Sequence, residues 1–133
     1  MKKEKIIITG SKGIIGKTIT KHFSKNYYVT VFSRSLGHDL TDEKLVKELF
    51  QREKADYLIN LFAMNDHVSS DREEGINLFN ITLDSFRKYL EVNLTALFSV
   101  CREFARNNDS GSIVMFFVII IHLRYRRNHS IYR

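Results

Sequence analysis

The chain has 133 residues, 44% of them apolar and 27% charged, with a formal net charge of +6. These proportions belong to an ordinary folded domain, not a disordered or fibrous chain, and the length leaves no room for a substrate domain beside a nucleotide domain. No stretch reaches the ~20 apolar residues of a membrane span, and Met1-Lys2-Lys3-Glu4 leads into a strand, not a signal peptide, so a cytoplasmic location is expected.

The first element is the strand Lys5 to Thr9. It breaks into Gly10-Ser11-Lys12-Gly13-Ile14-Ile15-Gly16 and opens a helix over residues 14–25, with Ile14, Ile15, Ile19 and Phe23 near helical spacing. Glycines between a strand and a helix suit a phosphate cradle: Gly10 for the tight turn, Gly13 for close approach of backbone N–H groups, Gly16 for helix packing. An anion there would meet the helix N-terminus and its dipole. Tyr27 to Phe32 reads as the second strand and Ser33 to Leu40 as a loop. Thr41 is the expected cap of a helix whose stripe is Leu45, Val46, Leu49 and Phe50.

Asp56 to Phe62 is the third strand, apolar enough for burial on both faces. Met64 to Asn80 is polar and irregular, a candidate loop over a site. A long helix is expected from Thr82 to about Asn107, with Leu83, Phe86, Leu90, Leu94, Leu97, Phe98, Cys101 and Phe104 on its buried side. Ser112 to Ile121 is a fourth apolar run. Strands alternating with helices imply an α/β fold, a three-layer doubly wound parallel sheet with right-handed crossovers. Residues 1–111 form its dinucleotide-binding portion, and residues 112–133 add a last strand and a basic tail.

Charge and the remaining polar residues narrow the function. After Asp109 there is no acidic residue, while Arg124, Arg126, Arg127 and Arg133 crowd the end, so the preceding part is nearly balanced. No nucleic-acid or membrane partner is expected, the alternative being salt-sensitive anion binding through Ile113–Ile121 and the tail arginines. His22, His38, His67, His122 and His129 have no ligand spacing, so no metal site is expected. Asp71, Glu73 and Glu74, like Glu48 and Glu53, read as solvated charges. Cys101, the single cysteine, reads as a reduced, packed thiol, because no histidine is placed to activate it.

Four pieces in order resemble the short-chain dehydrogenase/reductase family over roughly residues 4–115. Thr9-Gly10 with Gly16 is similar to that family's T-G-x-x-x-G-x-G turn, with the middle glycine at 13, as in its extended, sugar-nucleotide-acting branch. Asp39-Leu40-Thr41-Asp42 resembles the D-[VL]-[TS]-D segment beside the adenine. Asn60-Leu61-Phe62-Ala63 stands where the family has N-N-A-G, and Val92-Asn93-Leu94-Thr95 resembles its V-N-[LV]-x segment. The resemblance implies NAD(P)-dependent chemistry on a carbonyl/alcohol pair, a small-molecule substrate and a homo-oligomeric intact form. The expected cofactor contacts are Gly10, Ser11, Lys12, Ile15, Gly16, Arg34, Asp39, Leu40, Asn60 and Ala63. Asn93 is the single matched catalytic-site residue.

Arg34, at the end of the second strand, stands where an arginine accommodates the 2′-phosphate, with Lys12 a further cation, so NADP(H) is favoured over NAD(H). Two solvated surface charges are the competing reading. Residues 59–67 and 83–106 look similar to dehydrogenases of bacterial surface-sugar and flagellin-modification pathways, and acyl-carrier-protein ketoreductases share the pattern.

The resemblance also implies a catalytic serine near position 118 and a later Y-x-x-x-K. The chain reads Met115-Phe116-Phe117-Val118-Ile119-Ile120-Ile121 there, and no lysine follows Lys88. Codons for Phe116-Phe117-Val118-Ile119 read one base later can spell Phe-Ser-Ser. A truncated chain, frameshifted near residue 115 and inactive by itself, is therefore expected; the alternatives are a short protein with a divergent last strand and a noncatalytic NADP(H)-binding or interaction module.

Overall fold

Ile6, Ile7 and Ile8 are all buried, although alternate residues of a strand point to opposite faces. Both faces of their strand must therefore be covered, which makes it a central strand. In the computed structural model, which describes residues 3–64 and 81–116, that strand is β1 (Lys5–Thr9). It pairs in parallel with β2 (Tyr28–Phe32) on one side and β3 (Tyr57–Asn60) on the other, and β4 (Ser112–Met115) pairs in parallel with β3. The order β2-β1-β3-β4 confirms the doubly wound parallel sheet. Thr9, Phe32, Asn60 and Met115 share one row at the carboxyl ends. His67, Asp71, Glu73, Glu74, His122, His129, the tail arginines and the expected strand beyond Phe116 lie outside the described residues.

Two apolar layers enclose the sheet. Helix α1 (Ile14–Phe23) covers Ile6, Ile8 and Ile59 with Ile19 and Phe23, extended by edge-to-face contacts of Tyr27 with Phe23 and Tyr57. On the opposite face, α2 (Glu43–Arg52) and α4 (Leu97–Asn107) bury Val46, Leu49, Phe50, Val100 and Phe104 against Ile7, Phe32 and Leu58. Phe50 stands edge-on to both Phe32 and Phe104. Glu103, 1% exposed, accepts from Arg102 and Arg106 through Oε1, and Arg102 also bonds Glu43, tying α4 to α2. The chain leaves β1 toward β2 and returns past β1 to β3, so its direction reverses between β1 and β3.

Two sequence expectations are corrected, the cap of α2 and the buried side of the long helix, and two others are refined. The cap of α2 is Asp42, whose carboxylate accepts from the N–H groups of Lys44 and Leu45; Thr41 is held by Asp39 instead. The loop after β2 contains a short 3₁₀ turn, Arg34–Leu36. The long helix is α3 (Leu83–Leu90), a π-helical segment (Glu91–Ala96) and α4. Of its expected buried side, Leu97 and Phe104 are buried and Cys101 is half-buried, but Leu83, Phe86, Leu90, Leu94 and Phe98 are exposed, Phe98 by 63%. The apolar arc holds two stripes, and none of the described elements covers the outer one. Above α4, Tyr89, Val92 and Asn93 are half-buried while the apolar Leu90 and Leu94 are exposed.

The turn from β1 into α1 is packed backbone to backbone. A Cβ on Gly16 would sit 2.2 Å from the Gly10 carbonyl oxygen, whereas one on Gly13 would lie 3.4 Å from that same oxygen, an ordinary contact. Gly16→Ala is expected to cost about 3 kcal/mol or abolish cooperative melting, because rigid backbone is overpacked. Gly13→Ala is expected to stay within about 1 kcal/mol, the difference between glycine and alanine at a helix cap; thermal denaturation of both variants checks this.

Candidate functional site

Where β1 and β3 part company, their carboxyl ends open a cleft of about 380 Å³. A strand order that reverses between two neighbours leaves a crevice there, because the crossing helices lie on opposite faces. Its floor is the Gly10 turn. Gly10 has φ +68°, and a Cβ on it would lie 2.6 Å from the Leu61–Phe62 peptide. Its N–H donates to the Phe32 carbonyl at 2.9 Å.

Beneath the floor, Thr9 donates its hydroxyl hydrogen to Asn60 Oδ1 at 2.9 Å, and Asn60 Nδ2 donates to Cys101 Sγ at 3.4 Å. Burial pushes the Cys101 thiol up, against the opposing effect of the Asn60 bond. It remains a protonated packing group at neutral pH.

The first wall is the start of α1. Gly13, its cap residue, lines the cleft and supplies no side chain to the first-turn N–H groups, and no acidic residue stands in that turn. In α2 and α3, Asp42 and Thr82 fill that role. The positive end of α1 thus borders the cleft uncompensated.

The second wall follows β2: Ser33, Arg34, His38, Asp39, Leu40 and Thr41. Asp39 Oδ1 accepts the Thr41 hydroxyl at 2.7 Å and the Thr41 N–H at 3.1 Å. The hydroxyl, then the N–H, hold the Asp39 carboxyl below its ordinary value, and the Arg34 charge adds to this. The third wall is Leu61 to Met64 with Lys88, Glu91 and Val92. Asn93 fixes it, accepting from Met64 N–H at 2.7 Å and donating Nδ2 to the Met64 carbonyl at 3.1 Å. The π segment carries that residue, a common use of such an irregular turn.

Of the residues expected from sequence to form the site, Gly10, Arg34, Asp39, Leu40 and Ala63 come together around the cleft. Ser11 and Gly16 are buried, and the Ser11 hydroxyl has no hydrogen-bond partner. Lys12 and Ile15 are exposed. Asn60 is buried below the floor with its side chain committed to Thr9 and Cys101. The sequence reading did not include Ser33, His38, Lys88, Glu91 or Val92. The last three precede Asn93 by five, two and one positions, so the helix containing Asn93 was the available signal for them.

A dinucleotide fits this donor set. The uncapped helix start and the side-chain-free Gly13 leave an opening for pyrophosphate, and Arg34 offers a fork of donors for a further phosphate.

Residues 6–100 match the model of the NAD dependent epimerase/dehydratase family. No curated protein matches the chain by sequence. Among solved structures, the chain is similar to a small-chain dehydrogenase (TM-score 0.72, 21% identity, covering 86% of this chain and 59% of that one). It is also similar to a small-chain dehydrogenase in complex with NADPH (0.68, 21%, 86% and 50%). A third is dTDP-4-dehydrorhamnose reductase from Bacillus anthracis str. Ames in complex with NADP (0.61, 19%, 77% and 32%). The chain thus spans at most about three fifths of the length of these proteins.

Asn93→Ala is expected to release Met64, raising its amide hydrogen exchange by one to two orders of magnitude, as losing two partly buried hydrogen bonds of about 1 kcal/mol each implies. Stability supplied by ionised Asp39 is full above the ordinary 3.8 and is lost as pH falls through the lower folded value. Thr41→Val should move the Asp39 midpoint up toward that ordinary value, read by carboxyl NMR titration.

Proposed function

The chain belongs to the NAD dependent epimerase/dehydratase family, and from that premise we propose that it binds NADP(H) in the cleft between β1 and β3. The observation that carries this reading is the uncapped start of α1 at Gly13, which lines the same cleft as Arg34. Backbone N–H groups after Gly10 hold the pyrophosphate, and Gly13 leaves room for it. Ser11, Lys12, Ile15 and Gly16 belong to this turn, with Lys12 adding charge at its exposed rim. Arg34 takes the ribose 2′-phosphate, which selects NADP(H) over NAD(H). Asp39 and Leu40 flank the adenine and Ala63 borders the path toward the nicotinamide, while Asn60 supports the floor from below through Thr9 and Cys101. The small-chain dehydrogenase in complex with NADPH supports a nicotinamide dinucleotide as the ligand.

A bound nicotinamide supplies hydride exchange with a carbonyl or alcohol carbon. Asn93 serves that chemistry by positioning, since it holds Met64 where the third wall meets the cleft. The 133 residues contain no Tyr-x-x-x-Lys, so this chain lacks that tyrosine–lysine pair for exchanging a proton with the substrate oxygen. Our reading of these residues is therefore cofactor binding without turnover, the oxidoreductase activity belonging to an intact form. A second reading is a noncatalytic module that pairs with a longer relative through the long helix. The exposed stripe Leu83, Phe86, Leu90, Leu94 and Phe98 favours it.

Titration of the chain with NADPH and NADH tests the proposal. NADPH is expected to bind more tightly, and Arg34→Asp is expected to lower the NADPH/NADH affinity ratio by at least roughly tenfold, the equivalent of one charge-assisted contact. An unchanged ratio would refute the role given to Arg34. NADPH consumption that Asn93→Ala abolishes would refute the absence of turnover.

A further inference from the structure

We propose that His38 is a specificity-setting positioning residue: it holds the Ser33–Arg34–Ser35 backbone so that Arg34 meets the 2′-phosphate. The inference deepens the reading of Arg34 above and rests on it.

The need for such a residue arises where β2 ends. The Phe32 carbonyl still accepts from Gly10 N–H, but β1 has by then turned toward α1. The next donor, Ser33 N–H, belongs to a residue 7% exposed and has no strand to pair with. His38 Nδ1 accepts it at 3.3 Å. The bond is reciprocal, since His38 N–H donates to the Ser33 carbonyl at 3.1 Å, an oxygen that also takes Leu36 N–H at 3.0 Å. Both polar backbone groups of Ser33 are thus closed against the far end of the loop, with Gly37 at φ +84° turning the chain back.

The ring is fixed as well as the bond. His38 stands edge-on to Phe32, with centroids 5.2 Å apart and planes at 68°. Phe32 is a core residue packed on Phe50. The Arg34 loop, whose ends Phe32 and Leu40 both lie in the core, is thus also tied to that core in its middle through the His38 imidazole. Acceptance at Nδ1 places the neutral ring's proton on Nε2. At the loop's outer end, Arg34 is exposed, and its neighbours Ser33 and Ser35 bring their hydroxyls within 3.1 Å of each other. Three side chains suited to phosphate oxygens are carried by a backbone that His38 closes.

Two substitutions separate the ring from the acceptor. His38→Phe keeps the aromatic contact with Phe32 and removes the acceptor; His38→Asn keeps an acceptor near the place of Nδ1 and removes the ring. Dissociation constants for NADPH and NADH are measured on the 133-residue chain, with Arg34→Ala in parallel. The expected result is NADPH binding roughly tenfold weaker in His38→Phe, with NADH changed by less than about twofold, and a preserved ratio in His38→Asn. NADH affinity reports an intact fold, and a merely structural role would weaken both nucleotides together. An unchanged ratio in His38→Phe, equal loss of both nucleotides, or failure of His38→Asn to preserve the ratio would overturn the proposal. If Arg34→Ala shifts the ratio and His38→Phe does not, this inference alone fails. If Arg34→Ala leaves the ratio unchanged, or the unaltered chain binds neither nucleotide, the Arg34 reading fails and takes this one with it.

Discussion

The contact on which the rest of the structure depends is one of backbone with backbone: the Gly10 turn against the Leu61–Phe62 peptide on one side and against Gly16 on the other. No side chain intervenes at either place, so the start of α1 is positioned by peptide geometry, the least deformable reference a protein has. From it follow the height of α1 over the sheet, the opening between β1 and β3, and the exposure of the uncapped helix end to that opening. The apolar layers supply stability, but they do not set these distances.

Around that fixed turn, polar links tie each wall of the cleft to the sheet. Thr9 and Asn60 join β1 to β3, and Asn60 passes the connection to Cys101 on α4. Asn93 grips both polar groups of the Met64 backbone, and His38 does the same for Ser33 with its ring nitrogen and its own N–H. The last two links share a logic. Each catches a chain just after it leaves a strand, where ladder hydrogen bonds stop and the direction of the chain would otherwise be free. The cleft is bounded by loops, yet their backbone is held close to the strand ends from which they emerge.

Legibility in the sequence followed the range of the interactions. The strand–glycine–helix unit, the Val46-Leu49-Phe50 stripe and the parallel sheet were readable because local pattern and tertiary packing agree there. The cap of α2 differs by one residue from the expectation because Thr41 and Asp42 are both good caps, and the Asp39 carboxylate, two residues before Thr41, takes the Thr41 hydroxyl and leaves Asp42 to serve. The outer stripe of the long helix was assigned to the core because Leu94 and Phe98 are as apolar as Leu97 and Val100, and composition carries no sign of which side meets the sheet. His38 had no motif at all. Its significance depends on an unpaired donor at the end of β2, which is a property of the strand order, not of any short run of residues.

The π-helical segment Glu91–Ala96 gives the long helix two histories. Residues of α4 share the core with α2 and the sheet, so Val100 and Phe104 can change only with their neighbours. Leu83, Phe86 and Leu90 of α3 answer to none of those neighbours. The irregular turn between them, anchored by Asn93 to Met64, keeps one fixed phase where the two halves meet. Among the described residues, a substitution on the outer surface of the first half therefore leaves untouched the packing that holds the cleft, whereas one in α4 disturbs it.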